Sequence, residues 1–375
     1  MAAENKLRIG VIFGGRSGEH EISLMSARSI LAALNPEKYI ITQIGITHQG
    51  AWLIGDGVLE ALEKNKPQTL KPGAMFPDPT RRGLFMIEPG QPSDVLKHIT
   101  NLDVIFPVLH GTFGEDGTIQ GFLEMLDIAY VGAGVLGSSL GMDKAVFKDV
   151  MRTNDVPVVE SFVVTRREIS NNMEGILKRS ENLASYPLFV KPVNLGSSVG
   201  ITKCHNRSDL LEGLMDAARY DRRVLVERGI NAREIEVSVL GNDDPQASLP
   251  GEIIPADEFY SYEAKYFDDR SRLIIPAPLS DDLIREIQTI AIKAFLAVDC
   301  AGMARADFLL DKVTGELFLN EINTIPGFTN ISMYPKLWDI SGLSYPELVD
   351  RLVELALERK RERDQNEYRY IRQTV

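Results

Sequence analysis

A chain of 375 residues is too long for one ordinary hydrophobic core and fits two or three α/β lobes with clefts between them. Its 44% hydrophobic and 25% charged residues are ordinary for a globular enzyme and exclude a disordered or fibrous protein. A formal net charge of -12 argues against a nucleic-acid partner, because phosphate backbones are held by clustered Lys and Arg, though a small anion at a local basic site remains allowed.

Two cysteines, Cys204 and Cys300, show no C-x-x-C spacing and no neighbouring His cluster, so buried free thiols are expected rather than a disulfide framework or zinc site. The polar lead Met1 to Lys6 runs directly into the apolar Leu7 to Phe13, without the apolar stretch of a signal peptide. No run of about 20 apolar residues follows, so no membrane span is expected.

In chain order, Leu7 to Phe13 reads as a buried strand ending in Gly14-Gly15, and Ser23 to Leu34 as a helix, together a βα unit. A second strand is expected at Tyr39 to Ile46. The Pro-, Gly- and charge-rich stretch Gly55 to Ser93 reads as a partly irregular insertion. Asp103 to Leu109 is then a strand that delivers His110-Gly111 at its C-terminal end. Helical patterning covers Gly137 to Thr153, followed by strands near Ser161 to Thr165, Leu188 to Lys191 and Val224 to Glu227, a smaller α+β lobe. Strands at Glu234 to Leu240, Leu273 to Ile275, Ala304 to Leu310 and Leu317 to Asn323, with a helix at Asp281 to Val298, make a third. Ser344, Pro346 and Glu347 form a helix-start signature before the amphipathic Leu348 to Leu357, and the charged tail beyond reads as a solvated end.

Two glycine-rich segments compete for a nucleotide. Gly132-Ala133-Gly134-Val135-Leu136-Gly137 matches the dinucleotide fingerprint by spacing, with Glu160 placed downstream to hold a ribose. It follows only the very short strand Ala129 to Val131, so a connecting loop with a helix start is the better reading. The second segment is Phe189-Val190-Lys191-Pro192 followed by Gly196-Ser197-Ser198-Val199-Gly200. A strand-borne lysine precedes a loop whose backbone N–H groups and hydroxyls can approach phosphates closely. There is no G-x-x-x-x-G-K-[ST] sequence, so an ATP site would have to be built by two sheets closing on the nucleotide.

The stronger signal lies in Ala304-Arg305-Ala306-Asp307-Phe308 and Leu319-Asn320-Glu321-Ile322-Asn323. If Val313-Thr314-Gly315 is a three-residue hairpin loop with Gly315 left-handed, Asp307 lies opposite Glu321 and Arg305 opposite Asn323 on one face. Ala306, Phe308 and Ile322 then face the core. Two carboxylates and an amide oxygen make a site for a hard cation such as Mg²⁺, with Arg305 beside it to hold an anion. A solvated hairpin face with ordinary ion pairs is the blander alternative. The following Pro326-Gly327 turn offers backbone N–H groups to a developing oxyanion.

Together these stretches resemble the D-alanine:D-alanine ligases of the ATP-grasp superfamily. Gly14-Gly15-Arg16-Ser17-Gly18-Glu19-His20-Glu21-Ile22-Ser23 is similar to the family's opening motif, and His110-Gly111-Thr112-Phe113-Gly114-Glu115-Asp116-Gly117 to its second. Met142-Asp143-Lys144 resembles the first phosphate lysine, Lys191 the second, and Tyr260 to Tyr266 the mobile loop. The resemblance runs from about Ile9 to Leu357. It implies a three-lobed ATP-grasp fold, α/β and α+β, with a Rossmann-like N-terminal domain over 1–136, a central lobe over 137–227 and a C-terminal lobe over 228–375.

By the same resemblance Lys144, Lys191 and Lys265 meet ATP phosphates, with Ser198 covering them. Glu227, Arg228 and Ile230 line the adenine pocket, although Glu227-Arg228-Gly229-Ile230 lacks the bulky aromatic of some relatives, and Glu234 faces the ribose. Asp307, Glu321 and Asn323 hold two Mg²⁺ or Mn²⁺ ions. Glu19, linked to Ser197 and Tyr266, receives the first D-alanine's ammonium, and His110 is a polar residue of the site or a loop-stabilising histidine. Arg305 and the Gly327 amide form the oxyanion site, and Ser332 with Met333 meets the second carboxylate. The activity implied is ATP-driven formation of D-alanyl-D-alanine through an acyl phosphate, in the cytoplasm, by a homodimer with no nucleic-acid or membrane partner. A ligase using D-lactate or D-serine second is the near rival, disfavoured by Glu263-Ala264-Lys265-Tyr266. A non-catalytic nucleotide-binding regulator is the distant one, disfavoured because a sensor needs no metal and oxyanion groups together.

Overall fold

The computed structural model describes residues 6–90, 93–197, 199–254 and 272–368. Its first sheet takes β1 (Leu7–Gly14), β2 (Tyr39–Ile46), β3 (Trp52–Ile54), β4 (Lys71–Ala74), β5 (Leu84–Glu88), β6 (Val95–Thr100), β7 (Val104–Val108) and β8 (Ala129–Tyr130), in the order β6-β5-β4-β3-β2-β1-β7-β8. Helices α1 (His20–Ala33), α2 (Val58–Glu63) and α3 (Thr118–Met125) connect them. The β2-β1-β7-β8 part is parallel, and strand β1, buried from Ile9 to Gly14, reads as a continuous apolar run because both its faces are covered.

The stretch Gly55 to Ser93, expected as a partly irregular insertion, supplies α2, β4 and β5, and these two strands widen the sheet beyond β3 with antiparallel pairing. They escaped the pattern because they are short and half exposed, so polar residues and Pro72 fit them without breaking a buried ladder.

A helix expected over Gly137 to Thr153 is two helices, α4 (Val135–Met142) and α5 (Lys144–Thr153). Asp143 between them is extended, and its carboxylate accepts the Val146 N–H as the cap of α5. The glycine-rich segment before α4 serves close packing: a Cβ on Gly137 would lie 2.7 Å from the Asp299 carbonyl. Arg359 donates to the Gly132 carbonyl, and Glu160 is engaged by Arg228 at 2.8 Å, contacts that suit a connecting loop.

The second sheet is antiparallel, from β9 (Ser161–Thr165), β10 (Leu188–Pro192), β11 (Thr202–Cys204) and β12 (Arg223–Arg228), in the order β11-β10-β12-β9. Helices α6 (Arg166–Asn171), α7 (Met173–Leu183) and α8 (Arg207–Tyr220) cover it. Leu188, Val190, Val224 and Val226 join Leu210 and Leu214 in its core.

The third sheet holds β13 (Ala232–Gly241), β14 (Gln246–Ala247), β15 (Gly251–Ile254), β16 (Arg272–Ile274), β17 (Gly302–Asp311) and β18 (Leu317–Asn323), in the order β16-β15-β13-β17-β18 with β14 on β13. It is backed by α9 (Asp281–Ala297) and followed by α10 (Met333–Ile340) and α11 (Tyr345–Arg363). Helix α11 starts at the expected Ser344–Glu347 capping box. It returns to the first sheet, where Leu348, Leu352 and Val353 share one core with Ile9, Val11 and Phe106.

The charged tail is not a loose solvated end as far as Arg363. Arg359 lies 4.2 Å from the Tyr130 ring centroid, Lys360 pairs with Asp127 at 3.0 Å, and Arg363 pairs with Glu124. Cys204 and Cys300 are buried free thiols, as expected.

Candidate active site

The three sheets converge on a cleft of about 1150 Å³. Its floor is the β17-β18 hairpin. Arg305 pairs with Asn323 and Asp307 with Glu321, and Ala306, Phe308 and Ile322 are buried on the opposite face. The expected pairing is reached by another route. Asp311 and Glu316 close a four-residue loop, Lys312 to Gly315, and a bulge between Asp307 and Phe308 then leaves Asn320 as the extra residue. Gly315 is left-handed at φ 74°, as expected. The bulge turns Asn320 as well as Glu321 toward the cleft, which both line.

Strand β13 pairs on the other edge of β17 and sets Glu236 opposite Asp307 and Ser238 opposite Arg305. Glu236, Asp307 and Glu321 thus form one cross-strand row of carboxylates. Like charges directly opposite destabilise a sheet unless cations intervene. Arg305 supplies one such cation: its Nε lies 2.7 Å from Asp307 Oδ1 and 3.1 Å from Glu236 Oε2, and its Nη2 donates to Asp307 Oδ2 at 2.7 Å. Asn323 Nδ2 donates to Asp307 Oδ2 at 2.9 Å, and Lys144 Nζ lies 3.8 Å from Glu321 Oε2. The hard oxygen donors Asp307 and Glu321, in a row that already demands positive charge, together with Asn323 beside them, fit Mg²⁺. Among the described residues His20, Glu21 and His48 also bring possible ligand atoms within 4.8 Å of one another, with the two imidazoles stacked at 3.8 Å.

The central sheet supplies the basic wall. Lys144 opens α5 and donates to the Leu195 carbonyl at 2.7 Å, which ties it to the loop after β10. Lys191 Nζ lies 2.5 Å from Glu227 Oε1 and 3.5 Å from Asn320 Oδ1. Lys148, one turn along α5, lies 2.6 Å from Glu227 Oε2. Burial pushes the Glu227 carboxyl up, but the two ammoniums outweigh it and hold the group down at about 2. Burial pulls the Lys148 ammonium down, against the raising effect of Glu227. Arg228, Ile230 and Glu234 line the same wall, with the Arg228 guanidinium 5.4 Å from the Phe318 ring centroid.

The N-terminal sheet supplies the third wall. Glu19 precedes α1 and its Oε1 accepts from Ser197 Oγ across the cleft. Ser197 is itself left-handed at φ 53°, a costly conformation for a residue with a Cβ. A Cβ on Gly111, at φ 71°, would be strained and would lie 2.3 Å from Glu19 Oε2, so a side chain there would push the Glu19 carboxylate aside. His110 lines the cleft but both ring nitrogens are used by protein: Nε2 lies 3.0 Å from Ser26 Oγ and Nδ1 3.0 Å from the Ile325 carbonyl. Desolvation holds its pKa low. The loop-stabilising alternative therefore describes His110 best.

Gly327 and Ser332 also line the cleft, and Ser332 Oγ accepts the Thr329 N–H at 3.0 Å. Met333 sits at the start of α10 and lines the cleft, with its side chain packed on Ile253 and Leu337. Ser198, Lys265 and Tyr266, with the rest of the Tyr260 to Tyr266 loop, lie outside the described residues. Sequence reasoning passed over Glu236, Asn320 and Lys148. Glu236 could have been found, since Glu234 and Glu236 share a strand face while Ile235 and Val237 take the core side.

With this geometry in hand, comparison with known proteins is direct. The D-ala D-ala ligase N-terminus model matches residues 8–133 and the D-ala D-ala ligase C-terminus model residues 150–354. The chain belongs to the D-alanine–D-alanine ligase family. The D-alanine–D-alanine ligase of Thermoanaerobacter pseudethanolicus is 53% identical over 362 residues, 96% of this chain and 98% of that one. That of Natranaerobius thermophilus is 50% identical over 362 residues, again 96% and 98%. Among solved structures, the D-alanine-D-alanine ligase from Coxiella burnetii superposes with a TM-score of 0.79 at 39% identity, covering 96% of this chain and 97% of that one. The VanG D-Ala:D-Ser ligase from Enterococcus faecalis gives 0.83 at 35% identity, covering 94% and 99%. The three-sheet architecture is that of these ligases, and with membership of the family comes use of ATP. No helix among the described residues is long and apolar enough to cross a membrane.

Proposed function

We propose that this chain joins two D-alanine molecules into D-alanyl-D-alanine, converting ATP to ADP and phosphate, for peptidoglycan precursor synthesis. The observation that carries the reading is the row Glu236, Asp307 and Glu321 with Arg305 against it, facing Lys144 and Lys191 across one cleft.

Joining a carboxylate to an amine in water requires activation. Lys144 and Lys191 hold the ATP phosphates, Ser198 and its neighbours cover them, and Lys265 reaches the transferred phosphoryl, so that positioning and charge neutralisation do most of the work. Glu227, Arg228 and Ile230 face the adenine and Glu234 the ribose. Asp307, Glu321 and Asn323 are the ligands for two Mg²⁺ ions, with Mn²⁺ a substitute. When bound, the metal supplies neutralisation of phosphate charge.

Glu19 takes the ammonium of the first D-alanine, with Ser197 and Tyr266 orienting it. The first carboxylate becomes an acyl phosphate. Ser332 and the Met333 backbone hold the second carboxylate so that its amine faces the acyl carbonyl carbon. As that nitrogen attacks, Arg305 and the Gly327 N–H stabilise the charge on the carbonyl oxygen, and phosphate leaves. The 137–227 and 228–375 lobes close on ATP while the 1–136 lobe presents Glu19. The protein acts in the cytoplasm, as a homodimer, with neither nucleic acid nor membrane as partner.

A phosphate-release assay with ATP, Mg²⁺ and a panel of D- and L-amino acids tests the reading. Release stimulated by D-alanine alone, with dipeptide as product, is expected. A second reading, with D-serine in the second position, draws on the likeness to the D-Ala:D-Ser ligase; D-serine and D-lactate therefore belong in the panel, and a mixed product in excess over dipeptide would replace the first reading by the second.

A further inference from the structure

The segment Ile325-Pro326-Gly327-Phe328 carries the proposed oxyanion donor. From Thr324 to Thr329 every residue is buried except Gly327, which lines the cleft. No acceptor for the Gly327 N–H occurs among the described residues. The backbone groups on either side of it are held. The Ile325 N–H donates to Glu115 Oε1 at 3.1 Å, and Glu115 Oε2 accepts from the Gly111 N–H at 2.8 Å. The Ile325 carbonyl lies 3.0 Å from His110 Nδ1, and His110 Nε2 lies 3.0 Å from Ser26 Oγ. The Phe328 N–H donates to that same Ser26 oxygen at 3.3 Å, and the Phe328 carbonyl accepts from Tyr345 Oη at 2.5 Å.

These bonds close a circuit with one consistent set of proton positions. His110 donates from Nδ1 to the Ile325 carbonyl, so its neutral ring accepts at Nε2 from the Ser26 hydroxyl, whose oxygen in turn accepts from Phe328. Ser26 on α1, His110 after β7 and Glu115 all belong to the N-terminal part of the chain, whereas the segment they grip follows β18. A donor must sit within a few tenths of an ångström of the position its oxyanion will occupy, and such precision requires a locked surround.

We propose that Ser26, His110 and Glu115 form a clamp that positions the Gly327 N–H for the second half of the reaction, attack on the acyl phosphate. All three are positioning residues. The inference rests on the ligase reading above and deepens it. In the productive step the amine nitrogen of the second D-alanine bonds to the acyl carbon, loses a proton, and the carbon–oxygen bond to phosphate breaks. With the donor displaced, the acyl phosphate survives long enough for water to attack the same carbon, returning D-alanine and phosphate without dipeptide.

The test is the ratio of phosphate released to dipeptide formed, which does not depend on how much of a variant is folded. Ser26→Ala removes a hydroxyl that does not line the cleft, and Glu115→Gln presents an NH₂ donor to one of the two backbone N–H groups. Wild type is expected at one to one. Both variants are expected to lower dipeptide formation about 10-fold, to raise the ratio at least about 2-fold, and to leave the KM for ATP unchanged, a part of the roughly 10²–10³-fold effect of losing an oxyanion donor outright. A ratio that stays at one to one in both variants overturns the clamp, whatever happens to kcat. Wild type making no dipeptide would instead overturn the ligase reading itself.

Discussion

Two glutamates on opposite walls of the cleft have been given opposite fates. Glu227, 1% exposed on β12, touches two ammoniums and is held at about 2 although burial alone would raise it. Glu115, after β7, touches none; desolvation and the Glu19 charge push it up to about 8 despite two backbone N–H donors and the opposing pull of Arg305. Burial does not by itself decide charge. The nearest full charges do, and hydrogen bonds from neutral donors offset only part of the desolvation. One wall is therefore a fixed anion that organises lysines, and the other a carboxyl free to carry its own proton.

Glu227→Gln should break this contrast hardest. It strands Lys148 beside a neutral amide, and losing one partner of a buried pair costs about 3–5 kcal/mol, readable in denaturant unfolding. Pairing it with Lys148→Met should return much of that, because the penalty lies in the orphaned charge; a cycle showing simple additivity would mean the two groups do not interact. Asp307→Asn attacks the site without orphaning a buried lysine. Turnover should fall about 10²–10³-fold while the unfolding midpoint hardly moves, and equal losses would make Asp307 structural.

The two carboxyls should also be separable by pH. Glu227 is lowered from 4.5 to about 2, so its contribution to stability is present above pH 4.5 and lost as pH falls toward 2. Glu115 is raised from 4.5 to about 8, so its contribution is full below pH 4.5 and lost as pH rises toward 8. Thermal melts across this range should show Glu115→Gln flattening the alkaline decline and Glu227→Gln flattening the acid one. Least of all, Arg363→Ala removes a peripheral pair with Glu124 and should change stability by under about 1 kcal/mol, the scale of an ion pair with water nearby.

How far the sequence could be read follows from where the information sits. Strand β18 is legible to the residue, and β2 in its neighbourhood, because apolar patterning and turn residues mark such elements locally. The pairing of Asp307 with Glu321 was anticipated through two departures that cancel, a loop one residue longer and a bulge at Asn320. A bulge is set by how the sheet twists across its neighbours and leaves no local signature, so Asn320 could not be placed in the cleft from spacing. Nothing in the sequence around Lys148 marks it as buried, and only the arrival of β12 beneath it makes it a buried partner of Glu227. Nothing local to His110 decides between a polar site residue and a loop-stabilising one, because its Ile325 partner lies more than two hundred positions away.

Helix α11 carries a consequence for biogenesis. Leu24, Ala27 and Ile30 of α1 cover part of the apolar underside of β1 and β7, and Leu352 and Val353 of α11 complete it. On the ribosome, where β1 and β7 emerge long before α11, that underside must wait partly uncovered until α11 has been made. Strand β1 is thus sealed only after α11, far downstream of it, has emerged.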